Sequence, residues 1–196
     1  MTNEEFNLAV ENYVQNGDIQ QGTIRSLDDL TKIPNLEKFA IGYQQISDVS
    51  PLSSLVELRH VDLRNNNLIL DISPLAALHN LQSFTALATG VRDFSPLASC
   101  SYLSTIDAGT MLMTTLDIFI GIDGLQRLNL HAVRLNTLSG IENFPRLQVF
   151  EVTDVADGDL SPLLILPYLS LVTVGEELRE PAEWLTDKAN FTIEYR

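Results

Sequence analysis

Several residue types are scarce in this chain, and each shortage excludes a class of protein. A single cysteine, Cys100, rules out an intrachain disulfide. Lys and Arg number 12 against 26 Asp and Glu, which gives a net charge of −14. Such a chain is poorly suited to nucleic-acid phosphates or to an anionic membrane surface. No run reaches the roughly 18 apolar residues that a membrane span requires, because two prolines and two serines interrupt the most apolar stretch, 160–174.

Leucines at a fixed period are abundant instead. Seven units follow the pattern L-x-x-L-x-L, which indicates a short strand with alternate side chains buried. The first leucines of these units are Leu36, Leu58, Leu81, Leu103, Leu125, Leu147 and Leu169. Their spacing is 22 residues except for the 23 between Leu58 and Leu81. The regular spacing predicts a repeat array. We expect the one extra residue of the unit that begins at Leu58 to lie between Leu68 and Asp71.

A second motif, Ser-Pro-Leu, recurs between the strands. Serine favours the N-cap of a helix and proline its first position, so the motif predicts a short helical turn capped by the serine. Its prolines are Pro51, Pro74, Pro96 and Pro162. The units that begin at Leu103 and Leu125 have lost the motif.

Together the two motifs resemble bacterial leucine-rich repeats of the internalin-like type, with their 22-residue period. The family consensus joins L-x-x-L-x-L-x-x-N-x-I to D-I-S-P-L-x-x-L, and the resemblance covers about residues 19–180. It implies an α/β solenoid, a right-handed curved array with a parallel β-sheet on the concave face and short helices or 3-10 turns on the convex face. Only Asn66 matches the family's asparagine slot, so we expect the ladder of buried asparagines to be largely missing.

The chain divides into three predicted segments. Residues 1–18 have one apolar stripe at helical spacing and are predicted to form an N-terminal capping helix. Residues 19–174 hold one partial repeat and the seven full units. Residues 175–196 are predicted to form a C-terminal cap: a helical turn over 181–187, with Trp184 and Leu185 on its apolar side, then a closing strand over 191–195.

In the predicted sheet, the non-leucine positions of each strand point outward on the concave face. They form a predicted recognition strip for a protein or peptide partner, and the acidic balance of the chain suggests that this partner has a basic patch. The residues of the strip are Tyr43, His60, Asp62, Arg64, Leu87, Asp107, Arg127, Asn129, His131 and Glu151. The alternative is a solvated face whose charges pair across strands.

Apolar residues also replace polar ones on the predicted convex side. Ile118 and Ile120 flank Phe119 in the fourth unit, and Leu164 and Ile165 lie between Leu163 and Leu166 in the sixth. The slots of Ile120 and Leu164 hold serine, alanine or glutamate in other units. These apolar residues predict a contact patch for self-association or for docking to a longer protein. Local repacking in these two units is the alternative.

We predict no catalytic residue, no cofactor and no metal site. His60 and His131 lie on the second and fifth strands, about 14 Å apart at the usual strand spacing, and cannot share one ion. Asp154, Asp157 and Asp159 do not match the spacing of a calcium loop, and a loop cap is the favoured interpretation. Cys100 occupies a core slot and is expected to be buried and unreactive.

The predicted function is a non-enzymatic protein–protein interaction module that binds on its concave face. The alternatives are a spacer or adhesion repeat domain of a larger bacterial surface protein, or a cytoplasmic regulator. The lack of a clustered acid–base or nucleophile set argues against an enzyme. We expect a cytoplasmic location if the chain is complete, and the cell surface if it is excised from a longer secreted protein. Nucleic acid and membrane insertion are not expected, and the oligomeric state is left open.

Overall fold

The computed structural model describes residues 25–109 and 113–196. Within these residues, eight strands form one sheet in chain order, and all neighbouring strands are parallel. The strands are β1 (Lys38–Ala40), β2 (His60–Asp62), β3 (Ser83–Leu87), β4 (Thr105–Gly109), β5 (Arg127–Leu135), β6 (Val149–Val155), β7 (Leu171–Val174) and β8 (Thr192–Tyr195). The predicted N-terminal helix over 1–18 and the first part of the partial repeat lie outside the described residues.

Short 3-10 helices connect the strands on the opposite side of the core. They span Asp28–Lys32, Ser50–Ser54, Ser73–Ala77, Ser95–Ser99, Asp117–Phe119, Ile141–Asn143, Ser161–Ile165 and Glu176–Leu178. An α-helix, α1 (Arg179–Thr186), follows the last of them and precedes β8. The predicted α/β solenoid, an open parallel sheet backed by short turns, is confirmed. No helix in the described ranges is both long and apolar enough to cross a membrane.

In four units the 3-10 turn is capped by an aspartate side chain, not by the serine that the sequence motif suggests. Asp48 Oδ1 accepts a hydrogen bond of 2.8 Å from the backbone N–H of Ser50, and Asp71 Oδ1 accepts one of 2.7 Å from Ser73. The same bond forms in two further units, at Ser95 and Ser161. The serine is therefore the first residue of the turn and the aspartate two residues earlier satisfies its backbone donor.

The drifted units keep this cap with a different side chain. Thr115 Oγ1 accepts the N–H of Asp117 at 3.2 Å, and Thr137 Oγ1 accepts the N–H of Ser139 at 3.0 Å. Threonine and aspartate both place an oxygen within reach of the N–H two residues on. The turn thus survives the loss of Ser-Pro-Leu because its cap is retained.

The core lies between the sheet and the 3-10 turns, and the periodic leucines fill it. All seven first leucines are at most 5% exposed. A further core position lies ten residues after the first leucine of most units, as at Ile46 and Val91, and this spacing predicts Leu68 in the core. That prediction is wrong: Leu68 is 49% exposed, and Ile69, at 0%, takes its place. The extra residue of this unit therefore lies between Asn66 and Ile69, before the position that the sequence suggested. Cys100, as predicted, is buried, and burial raises the pKa of its thiol to about 11.

The asparagine slot still holds most of the buried polarity of the described chain. Asn66 is fully buried, and its Nδ2 donates to the carbonyl oxygens of Ile41 at 2.7 Å and of Leu63 at 2.9 Å. Thr89, in the same slot one unit later, is also buried and donates to Ala86 O at 2.9 Å. The threonine hydroxyl thus makes one of the hydrogen bonds that an asparagine would make in this slot, because either side chain can donate to a buried carbonyl oxygen.

Where this slot is apolar, the strands are longer. Val133 and Val155 occupy it in β5 and β6, and both are buried. These two strands run for nine and seven residues, and after an irregularity they resume pairing at Arg134 with Asp154. Additional strand pairing provides backbone partners where no polar side chain is present.

We expect Asn66→Ala to lower the free energy of unfolding by about 2 kcal/mol, because it leaves buried carbonyl oxygens without a donor. Urea unfolding followed by circular dichroism measures this. Asn67→Ala is the matched control, since Asn67 is exposed and its replacement should cost less than about 0.5 kcal/mol. Equal losses in the two variants would show that the Asn66 contacts do not stabilise the repeat.

The C-terminal segment adds a helix and the last strand of the same sheet. Strand β8 pairs with β7 in the register Leu171 with Thr192, so the predicted closing strand is present. Helix α1 buries Ala182 and Leu185, both at 0% exposure. Trp184 was predicted on the apolar side but is 58% exposed, with the Lys188 ammonium 2.9 Å from its ring centroid. The smaller Ala182 occupies the core position on this side of the helix. The Trp184 indole therefore stays exposed, with the Lys188 ammonium over its ring.

Candidate partner-binding surface

The register of the sheet aligns one side chain from each of seven strands in a single row. These residues, the polar row, are Asp62, Thr85, Asp107, Asn129, Glu151, Thr173 and Glu194. Their side chains lie on the face away from the core, because each is flanked along its strand by buried neighbours or by the partly buried Ile193 and Tyr195. All seven keep some exposure to solvent. The row therefore runs across the concave face as a continuous band of hydrogen-bonding groups.

Three of the predicted strip residues meet at the centre of this row. His131, on β5, lies between carboxylates from both neighbouring strands: its Nε2 is 3.0 Å from Asp107 Oδ1 and its Nδ1 is 3.1 Å from Glu151 Oε1. A residue that the sequence did not point to joins them from beyond β8. The Arg196 guanidinium contacts His131 Nδ1 at 3.0 Å and bonds to Glu151 Oε1.

Arg196 reaches this cluster because the strand between is lined by small residues. Thr173 and Gly175 line the same pocket as Glu151 and Arg196. Glycine at position 175 also permits a close approach of the backbone, since an added Cβ would lie 2.3 Å from Thr153 O. The alternating pattern of 191–195 was the signal available in the sequence, because it places the next residue on the outer face.

The centre of the row has unpaired acceptors. Asp107 Oδ1 and Asn129 Oδ1 are both buried without a hydrogen-bond partner. His131 is within ion-pair distance of Asp107 Oδ1, but the two are not aligned as a hydrogen bond. Burial raises the pKa of Asp107; His131 and Arg64 oppose the rise, and Glu151 adds to it. The site thus carries more acceptors than donors.

The other predicted residues of the strip lie apart from this cluster. Asp62 and Arg64 pair within one strand and its extension, with Arg64 Nη2 2.6 Å from Asp62 Oδ2. His60 Nδ1 is 2.7 Å from Ser83 Oγ, and burial lowers the pKa of this histidine, as do Lys38 and Arg59.

The remaining strip residues are Leu87, Arg127, Asn129 and Tyr43. Leu87 ends β3, and Arg127 and Asn129 lie on β5. Tyr43 follows β1 and is 47% exposed. Its φ of 60° is left-handed, a conformation that Asn65, Ala88 and Ala132 share at the same place in their repeats. Tyr43, Asn65 and Ala88 lie just beyond their strands, whereas Ala132 lies within β5, at the irregularity before pairing resumes at Arg134.

Charges of both signs lie in and beside the strands, whereas the chain as a whole is strongly acidic. The eight strands carry three bases and five acids, and Arg64 and Arg196 just beyond two of the strands add two further bases. These are Lys38, Arg64, Arg127, Arg134 and Arg196, and Asp62, Asp107, Glu151, Asp154 and Glu194. Cross-strand pairing, the alternative weighed from the sequence, does occur: Arg134 Nε is 2.9 Å from Asp154 Oδ2. The excess of negative charge therefore lies outside the strands, in the turns, in the segment from 176 to 187 and in residues 1–24, which hold four acids and no base.

The capping aspartates hold part of that excess. Hydrogen bonds from Ser50 lower the pKa of Asp48, and those from Ser95 lower the pKa of Asp93. Asp157 Oδ1 accepts the N–H of Asp159 at 3.0 Å, so this acidic loop is a cap, as expected. Within the described ranges, no group of three or more His, Cys, Asp or Glu residues is arranged to hold a metal ion.

On the convex side, the predicted patch is divided between two units. Ile120, Leu164 and Ile165 are 51%, 40% and 65% exposed, whereas Ile118 is partly buried against the core. Phe119 next to it is fully buried. Ile118 therefore serves packing, and a contact role for the other three residues stays a prediction.

Fold and surface together define a class of protein. The chain has the leucine-rich-repeat fold, which generally mediates protein–protein interaction, and proteins of this kind are typically non-enzymatic binding modules. The family model of "Leucine Rich repeats (2 copies)" matches residues 34–77.

Solved structures and a curated relative place this fold more narrowly. It is similar to an internalin C2 (inlC2) from Listeria monocytogenes, with a TM-score of 0.68 and 21% identity over 90% of this chain and 78% of that one. An internalin (inlF) from the same species gives a TM-score of 0.58 and 22% identity over 88% of this chain and 46% of that one. The fold is therefore internalin-like. The chain is also 28% identical over 125 residues to the leucine-rich repeat-containing G-protein coupled receptor 5 of Rattus norvegicus, covering 62% of this chain but only 14% of the receptor.

Proposed function

We propose that this chain is a non-enzymatic interaction module that binds a protein or peptide partner on its concave face. The polar row carries the proposal. Its seven side chains lie in one register, remain open to solvent and make no contribution to the hydrophobic core. The side chains on the other face of the sheet form the core and stabilise the fold. The polar row does not take part in this core and is therefore available to bind a partner.

The dimensions of the face suit an elongated partner segment. The polar row joins seven strands, so at a spacing of about 4.8 Å it is about 29 Å long. A helix of about 20 residues or an extended segment of about ten has this length. The small side chains beside the row, such as Ala88 and Ala132, would allow such a segment to approach closely.

The charges on the concave face indicate which charges the partner's surface would carry. A basic patch on the partner, suggested by the acidic chain, remains part of this proposal because long-range attraction depends on the total charge. At short range the face presents both signs, so a matching surface would carry acids as well as bases. Arg127 is exposed and forms no ion pair with another described residue, so it is available to contact an acidic group of the partner.

Charge reversal at Arg127 tests the proposal. A partner is first captured from the source organism with this chain as bait and identified, and its affinity is then measured by calorimetry. We expect Arg127→Glu to weaken binding about tenfold, because an attractive contact becomes repulsive. Arg92→Glu makes the same change of charge at an exposed position outside the strands and should alter the affinity less than about twofold.

Two outcomes would count against concave binding. If both variants weaken binding equally, total charge rather than the concave face governs the affinity. If neither does, the partner uses another surface. A spacer or adhesion repeat of a larger protein would show the second result, because such a domain needs its length rather than its concave face.

A further inference from the structure

We propose that Asp107, Asn129 and Glu151 form a receptor site for a guanidinium group, which the partner supplies as an arginine side chain. In the unbound chain, Arg196 occupies the edge of this site. The inference rests on the proposed function, since it names the chemistry that the concave face recognises. It adds a specific contact at the centre of the polar row.

The three residues are neighbours on successive strands. Asp107 on β4 is in register with Asn129 on β5, and Asn129 is in register with Glu151 on β6. At the usual strand spacing they span about 10 Å. Each presents oxygen acceptors toward the same side of the sheet, so a single planar group with several donors can reach more than one of them.

Two of these acceptors are buried and unsatisfied. Asp107 Oδ1 and Asn129 Oδ1 lack a hydrogen-bond partner although neither is accessible to solvent. A buried polar atom without a partner is costly, and in native proteins such an atom calls for an explanation. The His131 ring lies over this part of the row, 3.0 Å from Asp107 Oδ1. A donor that enters from the concave face and moves this ring aside would remove the cost. A guanidinium carries five N–H donors and no acceptor, which matches a site that has acceptors to spare.

A guanidinium already lies at this place. The Arg196 side chain reaches across from β8 to Glu151 and to His131 Nδ1, 3.0 Å away. It is 68% exposed, so its ion pair is of the weak, solvent-screened kind that a partner group can displace. The contact with Arg196 therefore shows that the Glu151 carboxylate pairs with a guanidinium group.

A pocket beside the cluster has room for the stem of an incoming side chain. It has a volume of about 280 Å³. Its lining includes Glu151 and Arg196 together with the small residues Ala132, Thr173 and Gly175. A cavity of this size holds one side chain rather than a larger ligand. An arginine could thus lay its aliphatic part against the small residues and direct its head toward the polar row.

The local electrostatics favour a cation in the same position. The Asp107 carboxylate is partly desolvated and is repelled by Glu151 and Asp62, which together raise its pKa. His131 and Arg64 oppose the rise without cancelling it. A bound guanidinium would add the missing positive charge and lower the pKa of Asp107 again.

Nuclear magnetic resonance with small probes tests this site. The probes are the capped tripeptide Gly-Arg-Gly and its analogue with citrulline, which has the same shape but no charge. We expect the arginine peptide to shift the imidazole signals of His131 and to leave those of His79 unchanged. The citrulline peptide should shift neither. In Arg196→Ala the arginine peptide should bind several-fold more tightly, because its competitor is gone.

Variants of the row identify the acceptors. Asp107→Asn and Glu151→Gln should each weaken binding of the arginine peptide about tenfold, since each removes one charge from the site. Asp62→Asn is the matched control in the same row: its carboxylate is already paired with Arg64, and we expect less than about a twofold change. Heteronuclear spectra of each variant establish that the fold is retained.

Three results would overturn the site. The arginine and citrulline peptides could shift His131 equally, Asp62→Asn could cost as much as Asp107→Asn, or the arginine peptide could produce no shift at all, even in Arg196→Ala. These results leave concave binding standing if the affinity for the natural partner still falls with Arg127→Glu. Conversely, tripeptide binding together with a partner that is insensitive to Arg127→Glu would retain the site and overturn the proposed function.

Discussion

Replacing Phe94 by alanine is expected to lower the free energy of unfolding by about 4 kcal/mol, the largest effect of any substitution considered. Phe94 is fully buried and lies between two other aromatic rings. Its ring centroid is 6.3 Å from that of Phe84, in an edge-on arrangement, and 4.9 Å from that of Phe119. Removal of the ring loses apolar burial and opens a cavity that neighbouring repeats cannot close without moving their strands. Urea unfolding followed by circular dichroism measures the loss.

Tyr102→Ala is the matched control, because it removes an aromatic ring of nearly the same size from a position that is 67% exposed. We expect a change below about 0.5 kcal/mol. Each repeat contacts mainly its neighbours, so Phe94→Ala should also disturb the units on either side. A small loss in Phe94→Ala, similar to that of the control, would mean that the three rings do not stabilise the array as a unit.

The second large effect is expected at Gly109, where the backbone of the next strand leaves no room for a side chain. A Cβ at this position would lie 2.0 Å from His131 O and 2.9 Å from the carbonyl carbon of the same residue. Neither atom belongs to a flexible side chain, so β4 and β5 would have to separate. We expect Gly109→Ala to cost about 3 kcal/mol of unfolding free energy and to displace His131 from its two carboxylates.

Gly42→Ala provides the control at the equivalent place in an earlier repeat. There the nearest atom to an added Cβ is Arg64 Cγ, 3.0 Å away and part of a long side chain that can move. We expect a loss below about 1 kcal/mol. Thermal unfolding and the His131 imidazole signals distinguish the two variants. Equal losses would mean that the general cost of replacing glycine, rather than the approach of β5, determines the result.

Much of the fold could be predicted because the same local sequence pattern recurs from repeat to repeat. A leucine period of 22 residues predicted the parallel strands, and the structure has them in chain order. The predicted turns between strands are present even where Ser-Pro-Leu is lost, because Thr115 and Thr137 keep the cap. Repetition makes such predictions robust, since one misread unit is corrected by the others.

The errors arose at single positions where two residues compete for one place. Leu68 and Ile69 are both suitable for the core, and only packing shows that Ile69 enters it. Trp184 and Ala182 both lie near the apolar side of α1, and the space available there admits the smaller one. A periodic pattern specifies that a slot is filled, whereas the shape of the slot decides by which residue.

For the candidate surface, the sequence named the residues but not their grouping. It placed Asp107, His131 and Glu151 among ten strip residues without showing that these three meet. Arg196 was missed because its contact with Glu151 joins positions 45 residues apart. Contacts of this kind depend on strand register and on the size of the residues between, which no local pattern contains.

By itself the sequence determined the repeat, the burial of its leucines and the outward direction of the side chains between them, because these follow from local spacing and the two-residue period of a strand. Only the tertiary structure decided which outward side chains meet, that Arg196 joins His131 and Glu151, and that acceptors at Asp107 and Asn129 are buried without donors. Those properties arise when eight strands are stacked in one register, since distances between residues far apart in the chain exist only in the folded array.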